Sequence, residues 1–353
     1  MSPSSEIYLP HVGWVRHPEG DEVAACLNQG WYEYREQAFA WLYLRPEDVV
    51  VDCGAHFGLY SLIAARATEN RGTVLAVEPN PESAALLAEN LERSGATCAR
   101  VIEAAVAREV GATVLYVGGP EKAAFAGLSA QIEHKKQLEV KTTTLDALLD
   151  DGGIRRVDFV KIDVEGAELD VLDGAKRALR SGALPLLMIE FNENNLRRAG
   201  RTTKELADAL TSSKYTLCRF DDERRELVPH TIGGPVWYEN LFAAKDPETA
   251  NARLRAAEKP RRRVADEIIK RGRDASRLYD EKTAAEERER EARRVLDEAG
   301  WRLHTLEQHL KSLLTSKYLR AGWKTRIVKK PEWVDAFLRE VEDHERRRAD
   351  SGQ

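Results

Sequence analysis

The chain has 353 residues, enough for one large domain and an appendage, and it is 42% hydrophobic and 32% charged with a formal net charge of -5, which gives no nucleic-acid footprint. No apolar run approaches the roughly 18 residues of a membrane span, and residues 1–6 lack the basic start and apolar core of a secretion signal, so the cytoplasm is the expected location. Cys26, Cys53, Cys98 and Cys218 show neither disulfide nor metal spacing, and Cys53 and Cys218 read as buried free thiols.

After a lead-in segment over residues 1–47, Val49-Val50-Val51-Asp52-Cys53 reads as a buried strand, followed by a glycine turn from Gly54 to Gly58 and a helix. Thr73 to Val77 makes a second strand, ended by Glu78-Pro79-Asn80. Asn80 and Pro81 open a helix with a capping side chain and proline at its first position; Leu86, Leu87 and Leu91 form its apolar face, and Gly95 stops it. Residues 98–106 read as strand three, and 113–117 with 138–142 as a hairpin-type insertion. Strand four covers 158–163 and leads to a helix from about 167 to 179. Strand five covers 186–190. Residues 215–220 and 237–243 follow as two late strands with only a loop between them. The pattern predicts an α/β fold with a seven-stranded, mostly parallel sheet and an antiparallel last strand.

Ligands of such sheets sit at the carboxyl ends of the strands. The spacing Asp52-x-Gly54-x-x-x-Gly58 is not the Gly-x-Gly-x-x-Gly that cradles a pyrophosphate. It suits a ligand with a ribose and no phosphate, and S-adenosylmethionine is one. Gly54 and Gly58 let the backbone approach that ligand, and Glu78 is placed to accept from the ribose hydroxyls. Lys161 and Asp163 lie two apart in a strand and share a face. With Glu165 and Glu190 they form the candidate catalytic rim, and Asn192 and Glu193 stand just beyond. Converging carboxylates hold sugar hydroxyls, and one with a raised pKa takes a proton. Other uses of these residues stay open. Asp163 equally suits the amine of the cofactor's methionine, and Lys161 equally suits a plain pair with Asp163. Glu168 fits a helix N-terminus better than chemistry, and His56 shapes the turn rather than acting as a base. Asp163 and Glu190 lack diagnostic metal-ligand spacing, so no metal is expected.

From about Gly30 to Ala244 the chain resembles the FkbM-type S-adenosylmethionine-dependent methyltransferases. The resemblance is carried in order by Gly30-Trp31-Tyr32-Glu33, Asp52-Cys53-Gly54-Ala55-His56-Phe57-Gly58, Glu78-Pro79-Asn80-Pro81, Glu103-Ala104-Ala105-Val106, Thr144-Leu145-Asp146 and Lys161-Ile162-Asp163-Val164-Glu165-Gly166-Ala167-Glu168. Arg35 departs from the pattern, standing near a position where the family often has an acid. The resemblance implies a Rossmann-like fold with S-adenosylmethionine as cofactor. The residues implied to bind it are Glu33, Asp52, Gly54, Ala55, His56, Gly58, Glu78, Pro79, Asn80, Glu103, Ala104 and Asp163.

Near Lys245 the composition shifts to Arg, Glu, Lys and Ala, which divides the chain into 1–245 and a helical region over 246–353. One heptad phase runs from Val264 through Ile268, Arg271, Ala275, Leu278, Lys282, Ala285, Glu289, Ala292, Leu296, Ala299, Leu303, Leu306 and Leu310 to Leu313, the signature of a coiled coil. Gly272 and Gly300 are expected to interrupt it. The seam predicts a homo-oligomer, with a helix folded back on its own chain as the alternative. Lys259-Pro260-Arg261-Arg262-Arg263 could touch acidic lipid peripherally, though a solvated helix start is commoner. Residues 313–324 resemble a segment that trails coiled coils in bacterial surface-polysaccharide enzymes. The expected activity is O-methylation of a sugar or oligosaccharide hydroxyl in surface-glycan biosynthesis. The alternatives are O-methylation of a polyketide-like natural product and a non-catalytic nucleoside-binding scaffold.

Overall fold

A computed structural model describes residues 4–118, 127–128 and 136–316, with positions 323–324, 331, 333–336, 338–339 and 346 beyond them. The middle of the polysaccharide-enzyme-like segment, 317–322, lies outside the described residues. The chain divides into two compact units, Met1–Ser276 and Arg277–Gln353.

The first unit begins with an antiparallel hairpin, β1 (Ser4–Leu9) and β2 (Gly13–Pro18), then α1 (Glu22–Gln29) and α2 (Tyr34–Tyr43). The βα units that follow are β3 (Val49–Cys53), α3 (Leu59–Ala67), β4 (Thr73–Val77), α4 (Pro81–Ser94) and β5 (Ala99–Ile102). A small separate sheet comes next: β6 (Ala105–Val106), β7 (Gly111–Val117) and β8 (Lys136–Thr143). The main sheet resumes with α5 (Leu145–Asp151), β9 (Phe159–Ile162), α6 (Glu168–Asp173), α7 (Lys176–Ser181) and β10 (Leu186–Phe191). It closes with α8 (Glu193–Arg198), α9 (Thr203–Ser212), β11 (Thr216–Asp221), β12 (Glu226–Pro229) and β13 (Glu239–Ala244), before α10 (Pro247–Arg255) and α11 (Lys259–Thr315).

The main sheet has the order β12-β11-β13-β10-β9-β3-β4-β5. The pairs β10–β9, β9–β3, β3–β4 and β4–β5 are parallel, whereas β13 runs antiparallel to both β10 and β11. The expected mostly parallel sheet with an antiparallel late strand is present. An eighth strand, β12, extends the edge from what the sequence suggested was a plain loop. Its own signal is weak, because only Leu227 of its four residues is buried. Apolar cores cover both faces, one with Phe39, Leu62 and Phe242, the other with Leu148, Val171 and Leu206. Burial on both faces explains why the central strands read as unbroken apolar runs.

Two other expected elements divide. Residues 98–106 split at Glu103 and Ala104, so that β5 ends the main sheet and β6 pairs with β8. The helix expected over 167–179 breaks into α6 and α7 at Gly174, whose carbonyl accepts from Asp146 N–H at 3.1 Å. Asp146 then caps α7, accepting from Arg177 and Ala178 N–H groups at 2.9 Å each.

The first unit also runs past Lys245 to Ser276. Ala250, Leu254 and Ala257 and then Ala265, Ile268 and Ile269 enter the same core as α2 and α3. α11 passes through Gly272 without a break, since a Cβ there would stand 2.0 Å from Tyr34 Cγ: the glycine permits close packing and does not interrupt the helix. Arg261, in the basic cluster, is buried and donates to Leu44 O and Glu69, a structural use of that charge. In the second unit, Leu278, Leu296, Leu306, Leu310 and Leu313 of the heptad stripe are exposed. The side chain of Leu303 lies outside the described residues. Among the described residues, no helix is long and apolar enough to cross a membrane.

Candidate active site

Parallel strands end at one edge of the sheet, and there the turns after β3, β4, β9 and β10 surround a cavity of about 450 Å³. Its walls include Asp52, Gly54, Ala55, His56, Glu78, Pro79, Lys161, Asp163, Glu165 and Glu190, which the sequence had grouped together.

The turn after β3 sets the shape. Gly54 has φ +80, and a Cβ on it would come within 1.8 Å of Asp163 O. The close approach that requires glycine at position 54 is between the ends of β3 and β9, and Gly54 also lines the cavity. His56 adopts φ 49 and donates its N–H to Glu78 Oε2 at 2.8 Å, while Asn80 N–H donates to Glu78 Oε1 at 2.8 Å. Two backbone donors thus fix the Glu78 carboxylate, and each oxygen keeps a second acceptor position. Burial nevertheless raises its pKa to about 7. Asn80 caps α4 by accepting from Glu82 N–H.

Asp52 and Lys161 are strand partners in β3 and β9, and Glu190 pairs in register with Asn240. Lys161 is 4% exposed and donates to Asp163 Oδ2 at 2.6 Å, with its ammonium 4.9 Å from the Tyr60 ring centroid. Burial favours a neutral lysine, but the carboxylates of Asp163, Glu33 and Asp52 prevail and raise its pKa. A lysine held charged cannot accept a proton. Its service is to balance carboxylates, and removing one member of a buried pair typically costs about 3–5 kcal/mol. Burial, reinforced by Asp163, pushes Glu165 and Glu190 well above the usual carboxylate range. Asn195 Nδ2 donates to Glu165 Oε2 at 2.5 Å, whereas Glu190 Oε2 is buried with no partner. Asp52 Oδ1 and His56 Nε2 are likewise buried and unpartnered; the His56 atom stands 3.5 Å from Asp21 Oδ2. Glu168 accepts from the Val164 and Gly166 N–H groups and so holds the turn containing Glu165 (φ 54), the structural role its sequence position suggested. Among the described residues no cluster of His, Cys, Asp and Glu could hold a metal ion.

Some expected ligands are used differently. Glu33 (φ 42) accepts from Tyr60 at 2.8 Å, Asn240 at 2.6 Å and Tyr238 at 3.3 Å, tying the lead-in segment to α3 and β13 behind the cavity wall. Glu103 is exposed and Ala104 buried; neither lines the cavity, where Ala105 and Val106 stand instead. Arg35 pairs at the surface with Asp222 at 3.7 Å. Tyr32 of the motif over residues 30–33 stands in the wall, together with residues that no motif marked: Tyr60, Tyr238 and the α1 residues Glu22, Val23 and Cys26. Their only sequence signal is position, at the ends of elements next to the motifs.

A doubly covered parallel sheet with a glycine turn, a fixed acid after the second strand and an apolar-walled crevice defines a nucleoside-binding α/β enzyme of the Rossmann-like class. The family profile described as Methyltransferase FkbM domain matches residues 52–217. The 31-O-demethyl-FK506 methyltransferase FkbM of Streptomyces tacrolimicus is 32% identical over 200 residues, 46% of this chain and 76% of that protein. The hexuronic acid methyltransferase AglP of Haloferax volcanii is 28% identical over 181 residues, 50% of this chain and 69% of that one. Among solved structures, the crystal structure of Methyltransferase FkbM from Methylobacillus flagellatus KT aligns with TM-score 0.38 and 19% identity, covering 58% of this chain and 47% of that one, about half its length. The chain belongs to the FkbM methyltransferase family. It is a methyltransferase, and S-adenosylmethionine is its methyl donor.

Proposed function

We propose that the chain is an O-methyltransferase acting on a hydroxyl of a sugar or oligosaccharide destined for a surface glycan. The observation that carries this reading is Glu190: a buried carboxyl with an unpartnered oxygen, at the rim where Lys161, Asp163 and Glu165 converge. In its ionised form such a group accepts a hydroxyl's proton and aims its oxygen. The similarity to a hexuronic acid methyltransferase supports the sugar class. The similarity to a methyltransferase named for FK506 keeps a polyketide-like alcohol as the second reading.

The residues present fit the cofactor. Glu78 offers two anchored oxygens to ribose hydroxyls; Pro79, Ala105 and Val106 give an apolar wall for the base; and Gly54, Ala55 and His56 supply turn backbone beside it. The unpartnered Asp52 oxygen and Asp163 face the same crevice and suit a cationic amine. When bound, S-adenosylmethionine supplies a methyl already activated on a sulfonium. The chain's own work is then to hold the acceptor oxygen in line and remove its proton. Lys161 holds Asp163 in place, Asn195 orients Glu165, and Glu190 in its ionised form takes the proton. Glu33, with both oxygens engaged, keeps the lead-in segment closed against Tyr60 and Tyr238.

The exposed leucine stripe of α11 supports pairing with a second copy of the chain, because the heptad phase continues through it. Incubating the protein with methyl-labelled S-adenosylmethionine and two acceptor sets, hexuronides and macrolide alcohols, tests the acceptor class. Label in the hexuronides is the expected result; label only in the macrolides selects the second reading.

A further inference from the structure

Trp237 is 58% exposed, immediately precedes the cavity-lining Tyr238, and is held by a built frame. Glu193, 2% exposed, accepts from Thr203 N–H at 2.9 Å, Thr203 Oγ1 at 2.6 Å and Arg197 Nε at 2.7 Å. Glu193 N–H donates to Val236 O at 2.9 Å, and Val236 N–H to Thr203 Oγ1 at 3.1 Å. One buried carboxylate therefore joins α8, α9 and the segment carrying Trp237, and it also sets the plane of Arg197. The Arg197 guanidinium lies 5.6 Å from the indole centroid. Its Nε is used, and its two terminal nitrogens have no protein partner among the described residues. A guanidinium fixed at one edge and free at the other is a fork for a carboxylate.

This corner has a cavity on each side. Asn192 and Tyr238 line the inner one, the candidate active site; Glu193, Arg197, His230 and Pro235 line a second, of about 900 Å³. Asn192, the N-cap of α8, and Arg197 lie about 7.5 Å apart along the helix axis at 1.5 Å per residue, so a ligand reaching from one to the other must extend beyond a single sugar ring. A fixed exposed indole presents a rigid apolar face with little ordering cost.

We propose that Trp237 and Arg197 form an outer acceptor subsite, which holds the carboxylate-bearing sugar next to the one being methylated. The inference rests on the sugar reading above and adds that the acceptor is an acidic oligosaccharide longer than one ring. Arg197 binds the carboxylate of the second unit, Trp237 covers its ring, and the outer cavity takes further units.

The test uses the full chain, labelled S-adenosylmethionine and hexuronic acid acceptors of one, two and three units, with neutral hexose oligomers alongside. In the parent protein kcat/KM rises from one to two acidic units and not for the neutral series. Trp237→Ala and Arg197→Gln each lower the ratio of two-unit to one-unit kcat/KM at least tenfold, through KM, and Trp237→Phe restores most of it. Cofactor affinity measured by calorimetry checks that each variant is folded. If hexuronides are methylated but the ratio is unchanged in Trp237→Ala and Arg197→Gln, or neutral oligomers gain equally with length, the subsite is wrong while the sugar reading stands. If no hexuronide or hexose is methylated, the sugar reading falls and takes the subsite with it.

Discussion

The crevice at the ends of β3, β9 and β10 and the stretch of α11 beyond Ser276 keep their side chains in opposite media. In the first, Asp52 is 1% and Glu190 5% exposed, carboxyls withdrawn from water. In the second, Leu296 is 72% and Leu306 65% exposed, apolar groups left in water. Each arrangement is costly for the isolated chain. We propose that groups held in the wrong medium mark where something else binds: a charged, hydroxyl-rich ligand in the crevice, an apolar surface along the helix.

The comparison breaks most visibly at the point where α11 changes use. Leu254, Ile268 and Ile269 are buried in the first unit, and at roughly 1.5–3 kcal/mol each they contribute about 5–9 kcal/mol, comparable with a whole domain's stability. A chain ending at Lys245 is expected to unfold or aggregate, whereas one ending at Ser276 keeps a cooperative thermal transition. Equal melting temperatures for the two would contradict the packing described.

Next in size is the effect on turnover. Glu190→Gln preserves shape but removes the proton acceptor, so kcat is expected to drop by roughly 10²–10⁴ while cofactor affinity holds. Should Asp163→Asn produce that pattern instead, the base is Asp163 and Glu190 only lines the rim.

A smaller effect follows from pH. Burial raises Glu78 to about 7, and ribose hydroxyls prefer the ionised form, so cofactor affinity is expected to fall roughly tenfold from pH 8 to 6. Stability of the ligand-free chain runs the other way. Glu78 and Glu168, both raised by burial from an ordinary 4.5 to about 7, bind more protons folded than unfolded between those values. Their contribution is complete below about 4.5 and is lost as pH rises through about 7. Calorimetry for affinity and thermal melts for stability should therefore show opposite slopes, and parallel slopes would remove Glu78 from the ribose site.

The smallest effect is expected in the exposed stripe. Leu296→Ala should leave the stability of the α/β unit within about 0.5 kcal/mol, as surface substitutions do. Combined with Leu306→Ala, it should shift the mass seen by light scattering from a multiple of the chain toward the single chain. A parent protein that is already a monomer contradicts pairing with a second copy.

Much of the crevice was legible because βα units fix the order of strand ends. Asp52, Gly54, Ala55, His56, Glu78, Lys161, Asp163 and Glu165, far apart in sequence, line one cavity. Less legible was everything set by long-range packing. The family resemblance implies Glu33 as a ligand, yet Tyr60, Tyr238 and Asn240 take both its oxygens, and two of those three lie over 200 residues away. Gly272 reads as a helix breaker until Tyr34 is seen against it. The boundary at Lys245 followed composition, which marks where strands cease; α10 and the start of α11 still belong to the core. The heptad phase has the same blind spot, because it cannot tell that Ile268 packs inward while Leu296 does not.

The central claim is that the crevice holds S-adenosylmethionine by its ribose at Glu78. Calorimetric titration of the full chain and of Glu78→Ala tests it most directly. Two charge-assisted hydrogen bonds are worth roughly 1.5–3 kcal/mol each, so the variant is expected to lose at least about tenfold in affinity with its thermal transition intact. Unchanged affinity in a folded Glu78→Ala protein would contradict the placement of the cofactor and the account built on it.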